Sequence, residues 1–241
     1  MNKITRFAVG ILATSALLAT APLSASALTP PPFLGAAANF VVLGGAGVAC
    51  TKSTVGLGAV GSKLTVTKTA TCSIAGVVHQ GDATAVTAFN AFRTAYIALK
   101  AKTCPAANNL TGQALGGKTL APGVYCFDSS AGLTKGILTL AGPSSGVWVF
   151  QVGTGLTTAT AQVVMANGGH ACNVYWAPGT FATIGTDMKF GGNILAGSAV
   201  NFTGTNSSLV GRALAKTGVA MTGTNVRLPS DWNTSACRQS P

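Results

Sequence analysis

Four carboxylates, two histidines and six cysteines are the whole stock this chain offers to acid–base, metal or thiol chemistry. The acids are Asp82, Asp128, Asp187 and Asp231, and there is no Glu. Polysaccharide cleavage leans on two carboxyl groups held about 5–10 Å apart. Here Asp82 reads as a helix cap, Asp128 lies beside Cys126, and Asp231 belongs to the tail. Asp187 is the one acid among the C-terminal repeats. His79, three residues before Asp82, reads as local structure. With only His170 besides, it offers no zinc-ligand spacing, and no cysteine sits in a CxxC pair. There is no GxSxG, HExxH or phosphate-binding loop. The residues predict a protein that is not an enzyme and uses neither cofactor nor metal.

The remaining chemistry is that of uncharged hydroxyls. Thr is 31 of the 241 residues, as common as Gly, and the tetrapeptide Thr-Gly-Thr-Asn occurs twice, at 203–206 and 222–225. In a strand, alternate residues face one side. Val200 and Phe202, like Val219 and Met221, then point inward. Thr203 and Thr205 in one copy, and Thr222 and Thr224 in the next, are expected to point outward. They would stack about 4.8 Å apart between coils and about 6.7 Å apart along the strand. A rigid, uncharged grid of methyls and hydroxyls can order water as a lattice. Asn206 and Asn225 would finish the strands, and Thr183 and Thr186 would extend the patch.

The elements that must position such a grid are repeats. Residues 188–206 align with 207–225 at a shift of 19, so that Gly192 meets Gly211 and Ile194-Leu195-Ala196 meets Ala213-Leu214-Ala215. A further copy from Asn173 to Thr186 and a looser one from Val149 to Thr160 share the frame. Periods near 20 residues with short β-branched strands and Gly corners predict a mainly β fold, a β-solenoid with one coil per repeat. One segment differs. After the N-cap Asp82, an Ala-rich stretch to about Lys102 places Val86, Phe89, Phe92, Tyr96 and Leu99 on one helical face. A helix over about 82–102, stopped before Pro105, would lie along the coils as a buttress. Residues 103–128, dense in Asn, Gly and Pro, read as a cap on an open solenoid end.

Lys3 and Arg6 precede an apolar run from Phe7 to about Leu23 that closes on Ala25-Ser26-Ala27. This pattern predicts a signal peptide over residues 1–27, cut near Ala27, and a single domain over 28–241. Later segments lack the 18 uninterrupted apolar residues of a membrane span. The 15 Lys and Arg give a net charge of +11 but are scattered singly, with no basic cluster interleaved with aromatics, which argues against a nucleic-acid partner. In an exported chain Cys50, Cys72, Cys104, Cys126, Cys172 and Cys237 are expected to form three disulfides. Fifteen pairings are possible. Nearest neighbours give Cys50–Cys72, Cys104–Cys126 and Cys172–Cys237.

The order of features resembles the microbial ice-binding protein family of the DUF3494 type. The matching stretches are Leu34-Gly35-Ala36-Ala37-Ala38-Asn39-Phe40, Gly81-Asp82-Ala83, Leu110-Thr111-Gly112-Gln113 and the run Leu120 to Phe127. Val147 to Gly153, Ala171 to Trp176, Gly192 to Ala196 and Gly211 to Ala215 follow in order. The resemblance implies an irregular right-handed β-solenoid (β-helix) of triangular section, one long α-helix packed alongside, and a capping region near Cys104–Cys126. It also implies a flat face that adsorbs to ice, with a Thr-(Ala/Gly)-x-(Thr/Asn) pattern in several members. Both Thr-Gly-Thr-Asn copies match that pattern, whereas Thr183-Ile184-Gly185-Thr186 departs at its second position. The expectation is therefore a secreted, monomeric antifreeze protein whose partner is the ice surface and its ordered water. The alternative is an exported adhesive or structural module on the same scaffold.

Overall fold

A computed structural model describes residues 32–232 and Cys237. The expected leader and its cleavage site lie outside these residues. Short strands of two to nine residues wind into triangular coils, and the described strands pair in parallel. Along the axis, the first face stacks Gly123–Phe127, Trp148–Val152, Val174–Pro178, residues 193–196, residues 212–215, Phe40–Gly44, Ala59–Ser62 and Val78–Gln80. The second stacks Ala131–Leu133, Leu156–Thr158, Ala182–Ile184, Val200–Phe202, Gly218–Thr222, Gly47–Thr51 and Thr65–Lys68. The third runs from Thr119–Leu120 through Gly136–Ala141, Ala161–Ala166 and Thr224–Arg227 to Ser73–Ile74.

Stacking order is not chain order. The first coil, starting at Phe40, pairs on one side with residues 213–215 and on the other with residues 59–62, so it sits inside the stack. The chain then reaches one end at Val78–Gln80, and the helix Ala83–Lys100 carries it back toward the other end, where Gly123–Phe127 begins the return. Eighteen helical residues span about 27 Å. The eight strands of the first face span about 34 Å. The helix is thus the return path that lets the last coil close on the first.

That path explains the first face. Its strands are buried on both sides, against the solenoid interior and against the helix, and so read as continuous apolar runs such as Val174–Pro178. Inside, Tyr125, Phe150, Trp176 and Phe190 from successive coils stack with ring centroids 5.4, 3.9 and 5.0 Å apart. Outside, Val149, Tyr175, Leu195 and Leu214 meet Phe89, Phe92 and Leu99 of the helix. Asp82 caps the helix by accepting the Ala85 amide at 2.8 Å, and its other oxygen meets His79 Nδ1 at 2.8 Å. The Ala85 amide first and His79 second hold the Asp82 carboxyl below its ordinary value. The buried face of the helix differs from the expectation in one place. Val86 is exposed, while Ala85, Ala88 and Ala95 are buried, because only small side chains let the helix lie this close to the sheet.

Both ends are finished. Residues 106–120 form a small coil that bridges Asn109 to Cys126 and Ala114 to Gly132 and pairs Thr119–Leu120 with Thr139–Leu140. At the far end the Gln80 side chain accepts the edge amide of Val66 at 2.9 Å. Cys50–Cys72 joins the first coil to this edge coil, Cys104–Cys126 ties the helix exit to the cap, and Cys172–Cys237 holds the C-terminal tail.

One buried cation clamps the closure. Arg212, 4% exposed, donates Nε and Nη2 to Ala38 O at 3.0 and 2.7 Å and Nη1 to Asn193 Oδ1 at 2.9 Å. Asn193 in turn donates to Cys172 O and Val174 O. Burial pulls the Arg212 pKa down to about 10, and among the described residues no carboxylate lies within ion-pair distance. The guanidinium reaches an acceptor on a segment 174 residues earlier in the chain and another 19 residues away. Arg212→Met should cost about 3 kcal/mol in urea-unfolding stability, because Ala38 O and Asn193 Oδ1 lose their donor. A loss below about 1 kcal/mol would show that water replaces the clamp.

The corner between the second and third faces is turned in six coils by a single left-handed residue: Gly136, Thr160, Asp187, Asn206, Gly223 and Lys52. Glycine, Asn and Asp suit that geometry, but a β-branched residue does not. Thr160→Gly at φ 47 is expected to raise unfolding stability by about 0.5–1 kcal/mol, after the entropy of the added glycine is set against the relieved strain.

Candidate functional site

The second face is the open one. In its strands Leu156, Ala182, Ile184, Val200, Phe202, Val219, Met221, Val48 and Cys50 are buried, which turns the alternate positions outward. Strand register then sets a central outward file of Gly132, Thr157, Thr183, Asn201, Ala220, Ala49 and Thr67. Two residues further along each strand lies a second file. Thr222 pairs with Thr51, and Thr203 follows Phe202, the partner of Met221. Thr69, whose amide donates to Cys50 O at 3.0 Å, continues it. Thr203, Thr222, Thr51 and Thr69 therefore stand in line, one coil apart. Neighbouring positions are about 4.8 Å apart across strands and about 6.7 Å along them.

This face carries no charged residue in either file. The nearest charge is Lys68, exposed at the end of the edge strand Thr65–Lys68 in register with Cys50, and Lys52, Lys135, Asp187 and Lys216 stand at the corners. By contrast, the third face presents Lys189, paired with Ser208, and Arg227, paired with Val210, among its half-buried and exposed residues. The first face is covered by the helix. The open face is not a uniform threonine grid, however. Thr65, Thr67, Asn201 and Thr217 wall a shallow trough floored by Gly47, Ala49, Gly218 and Ala220. Phe181, 44% exposed, leans over Gly155 at the margin.

The expected second pair of threonines does not stack. Val200 meets Val219, a shift of 19, but Ser207 meets Thr224, a shift of 17. The corner at 203–206 thus holds two residues more than its counterpart, and the two identical tetrapeptides take different shapes. Gly204 packs against the Thr186 backbone, where no Cβ fits, while Gly223 supplies the left-handed turn at φ 65. Thr224 is only 4% exposed, and its hydroxyl donates inward to Ser207 O at 3.0 Å. Asn225 lies on the third face beside Ser208 and Thr54. Thr186, Thr205 and Asn206 are exposed on the corner, at the rim of the open face. Thr183, Thr203 and Thr222 stand on the face itself. Sequence reasoning passed over Thr51, Thr157 and Asn201, although Leu156-Thr157-Thr158 and Val200-Asn201-Phe202 carry the same alternation.

The "Ice-binding-like" family model matches residues 34–227. An ice-binding protein of Nostoc sp. (strain HG1) is 42% identical over 175 residues, 70% of this chain and 64% of that protein. Ice-binding protein K3-B1 of Typhula ishikariensis is 33% identical over 208 residues, 77% of this chain and 85% of that one. The chain matches about two-thirds of the length of the Nostoc relative and of a Flavobacterium frigoris relative. Among solved structures, an ice binding protein from an Antarctic biological consortium superposes with a TM-score of 0.81 at 32% identity, covering 86% of this chain and 96% of that one. One from Antarctomyces psychrotrophicus gives 0.77 at 35%, covering 83% and 99%. With the family model spanning both the helix and every coil of the stack, the chain belongs to the ice-binding-like family.

Proposed function

We propose that this chain is exported and adsorbs to ice through the open face, slowing ice growth and recrystallisation without catalysing a reaction. The observation that carries the proposal is a face of seven parallel strands whose two outward files carry no charge, with Thr203, Thr222 and Thr51 in line beside Thr157 and Thr183. The face is about 29 Å long and about 13 Å wide. Each threonine offers a methyl that water cannot hydrogen-bond and a hydroxyl that it can. Water bridging neighbouring hydroxyls costs little beyond its own ordering. A backbone ladder beneath holds every hydroxyl in place, so many weak contacts form at once and none is lost singly. Charges would impose their own hydration and spoil that layer, which is why their absence from both files matters. Thr186, Thr205 and Asn206 extend the contact at the rim, and one copy of the chain completes the face. Export is supported by the three disulfides, which form and persist in oxidising compartments.

The test is thermal hysteresis together with crystal shaping on the purified chain lacking residues 1–27. The expected result is faceted ice crystals and a gap between melting and freezing that grows with protein concentration. Round crystals and no gap would overturn the proposal.

A further inference from the structure

The helix does not close flush on the solenoid. Between it and the corner of the first and second faces runs a cleft lined by Phe92, Tyr96 and Ile97 on the helix side and by Gly179 and Gly197 on the floor. Two cations close it, Arg93 from the helix and Lys216 from the corner. Both are exposed, and among the described residues neither forms an ion pair. The acids are all engaged or distant. Asp82 caps the helix start, Asp128 accepts from Asn109, Asp187 turns the opposite corner, and Asp231 pairs with His170. A third cation, Lys63, lies further along the same corner, where it covers the Phe89 ring at 4.6 Å. Successive coils place residues of this corner in register: Thr180, Ser198 and Thr217 are joined by backbone bonds, and the hydroxyls of Ser198 and Thr217 lie 3.3 Å apart.

We propose that this cleft binds a carboxylated polysaccharide. The ligand must be anionic, because the cleft presents two cations with no carboxylate to neutralise them. It must also have an apolar side, because exposed Ile97 and half-buried Tyr96 form one wall over buried Phe92. The row of Ser198 and Thr217 hydroxyls beside Lys216 suits a ligand rich in hydroxyls of its own. A chain fits better than a small anion: the corner continues two coils, about 10 Å, from Lys216 to Lys63. Stacked bases would need an exposed flat ring, but Tyr96 is half-buried and its hydroxyl is tied to Pro178 O at 3.3 Å. The cleft lies around the corner from the open face, with Thr217 on the ridge between the cleft and the open-face trough, and neither outward file enters the cleft, so the two ligands meet opposite sides of that ridge. The molecule would then anchor in an acidic extracellular matrix while its open face meets ice. This inference stands whether or not the open face binds ice.

Polygalacturonate serves as the probe, its fully methyl-esterified form as the uncharged control, and calorimetry at low and moderate salt as the readout. The unmodified chain should bind the acidic polymer, weaken as salt screens the contacts, and ignore the ester. Arg93→Gln/Lys216→Gln should weaken binding about tenfold. Lys189→Gln/Arg227→Gln, which removes the same charge from the third face, should change it less than about twofold. Equal losses in the two double variants would reduce the effect to net charge and overturn the proposal, as would no binding at all. Tighter binding of single-stranded DNA through Arg93 and Lys216 would overturn the assignment to a polysaccharide.

Discussion

Thr203→Tyr/Thr222→Tyr is expected to cut thermal hysteresis at least about tenfold while leaving the fold intact. Both positions face solvent at the end of parallel strands, where tyrosine is a favourable residue, so unfolding stability should move by no more than about 0.5 kcal/mol. Activity falls for a geometric reason. Each ring stands above the plane of Thr51, Thr157 and Thr183, and two rings one coil apart hold the remaining face away from a flat crystal. Asn225→Tyr, placed on the third face, should keep full hysteresis and full stability. If that variant loses activity as well, the face assignment fails. If the double variant keeps activity, ice contact lies on another surface of the solenoid. Thr224→Tyr would be uninformative about ice, because Thr224 is buried and the substitution would disturb the corner hydrogen bonds to Ser207 and Ser53.

The contrast between Thr222 and Thr224 marks what the chain reveals by its residues alone. Alternation decides which side of a strand is buried, and Val219 with Met221 carries that signal without help from the tertiary structure. Alternation stops at the corner. There the count of residues per turn sets which atoms meet, and two copies of one tetrapeptide diverge because one is followed by Ser207-Ser208 and the other by Val226-Arg227. The helix was legible for the same reason as the strands, through its spacing and its Asp82 cap. Its function as a return path was not. Parallel strands leave no turn signature of who pairs with whom, so nothing in Phe40–Gly44 announces that it docks against residues 213–215. Only Arg212, a lone cation in an apolar run, hinted that a distant carbonyl had to be satisfied there.

The corner glycines carry the largest stability effect. Gly179→Ala is expected to cost at least about 3 kcal/mol and to leave much of the chain unfolded at ambient temperature. Gly153, Gly179 and Gly197 stack in successive coils at the corner of the first and second faces. A Cβ added to each would strike a backbone carbonyl of the coil before: Gly153 against Asp128, Gly179 against Gly153, Gly197 against Gly179. A Cβ at Gly179 would fall inside the contact distance of the Gly153 oxygen, and a backbone atom cannot swing aside as a side chain can. Relief would require the coils to part. That would stretch the bonds from the Gly179 amide to Val152 O and from the Gly197 amide to Pro178 O, both 2.9 Å. Gly132→Ala, at an outward position with nothing within 4 Å of the new methyl, should instead stay within about 0.5 kcal/mol of the unmodified chain. The pair separates two roles of glycine that look alike in the sequence. Urea unfolding of both variants decides the matter, and a Gly179→Ala chain as stable as Gly132→Ala would mean that the coils are looser than their hydrogen-bond ladder implies.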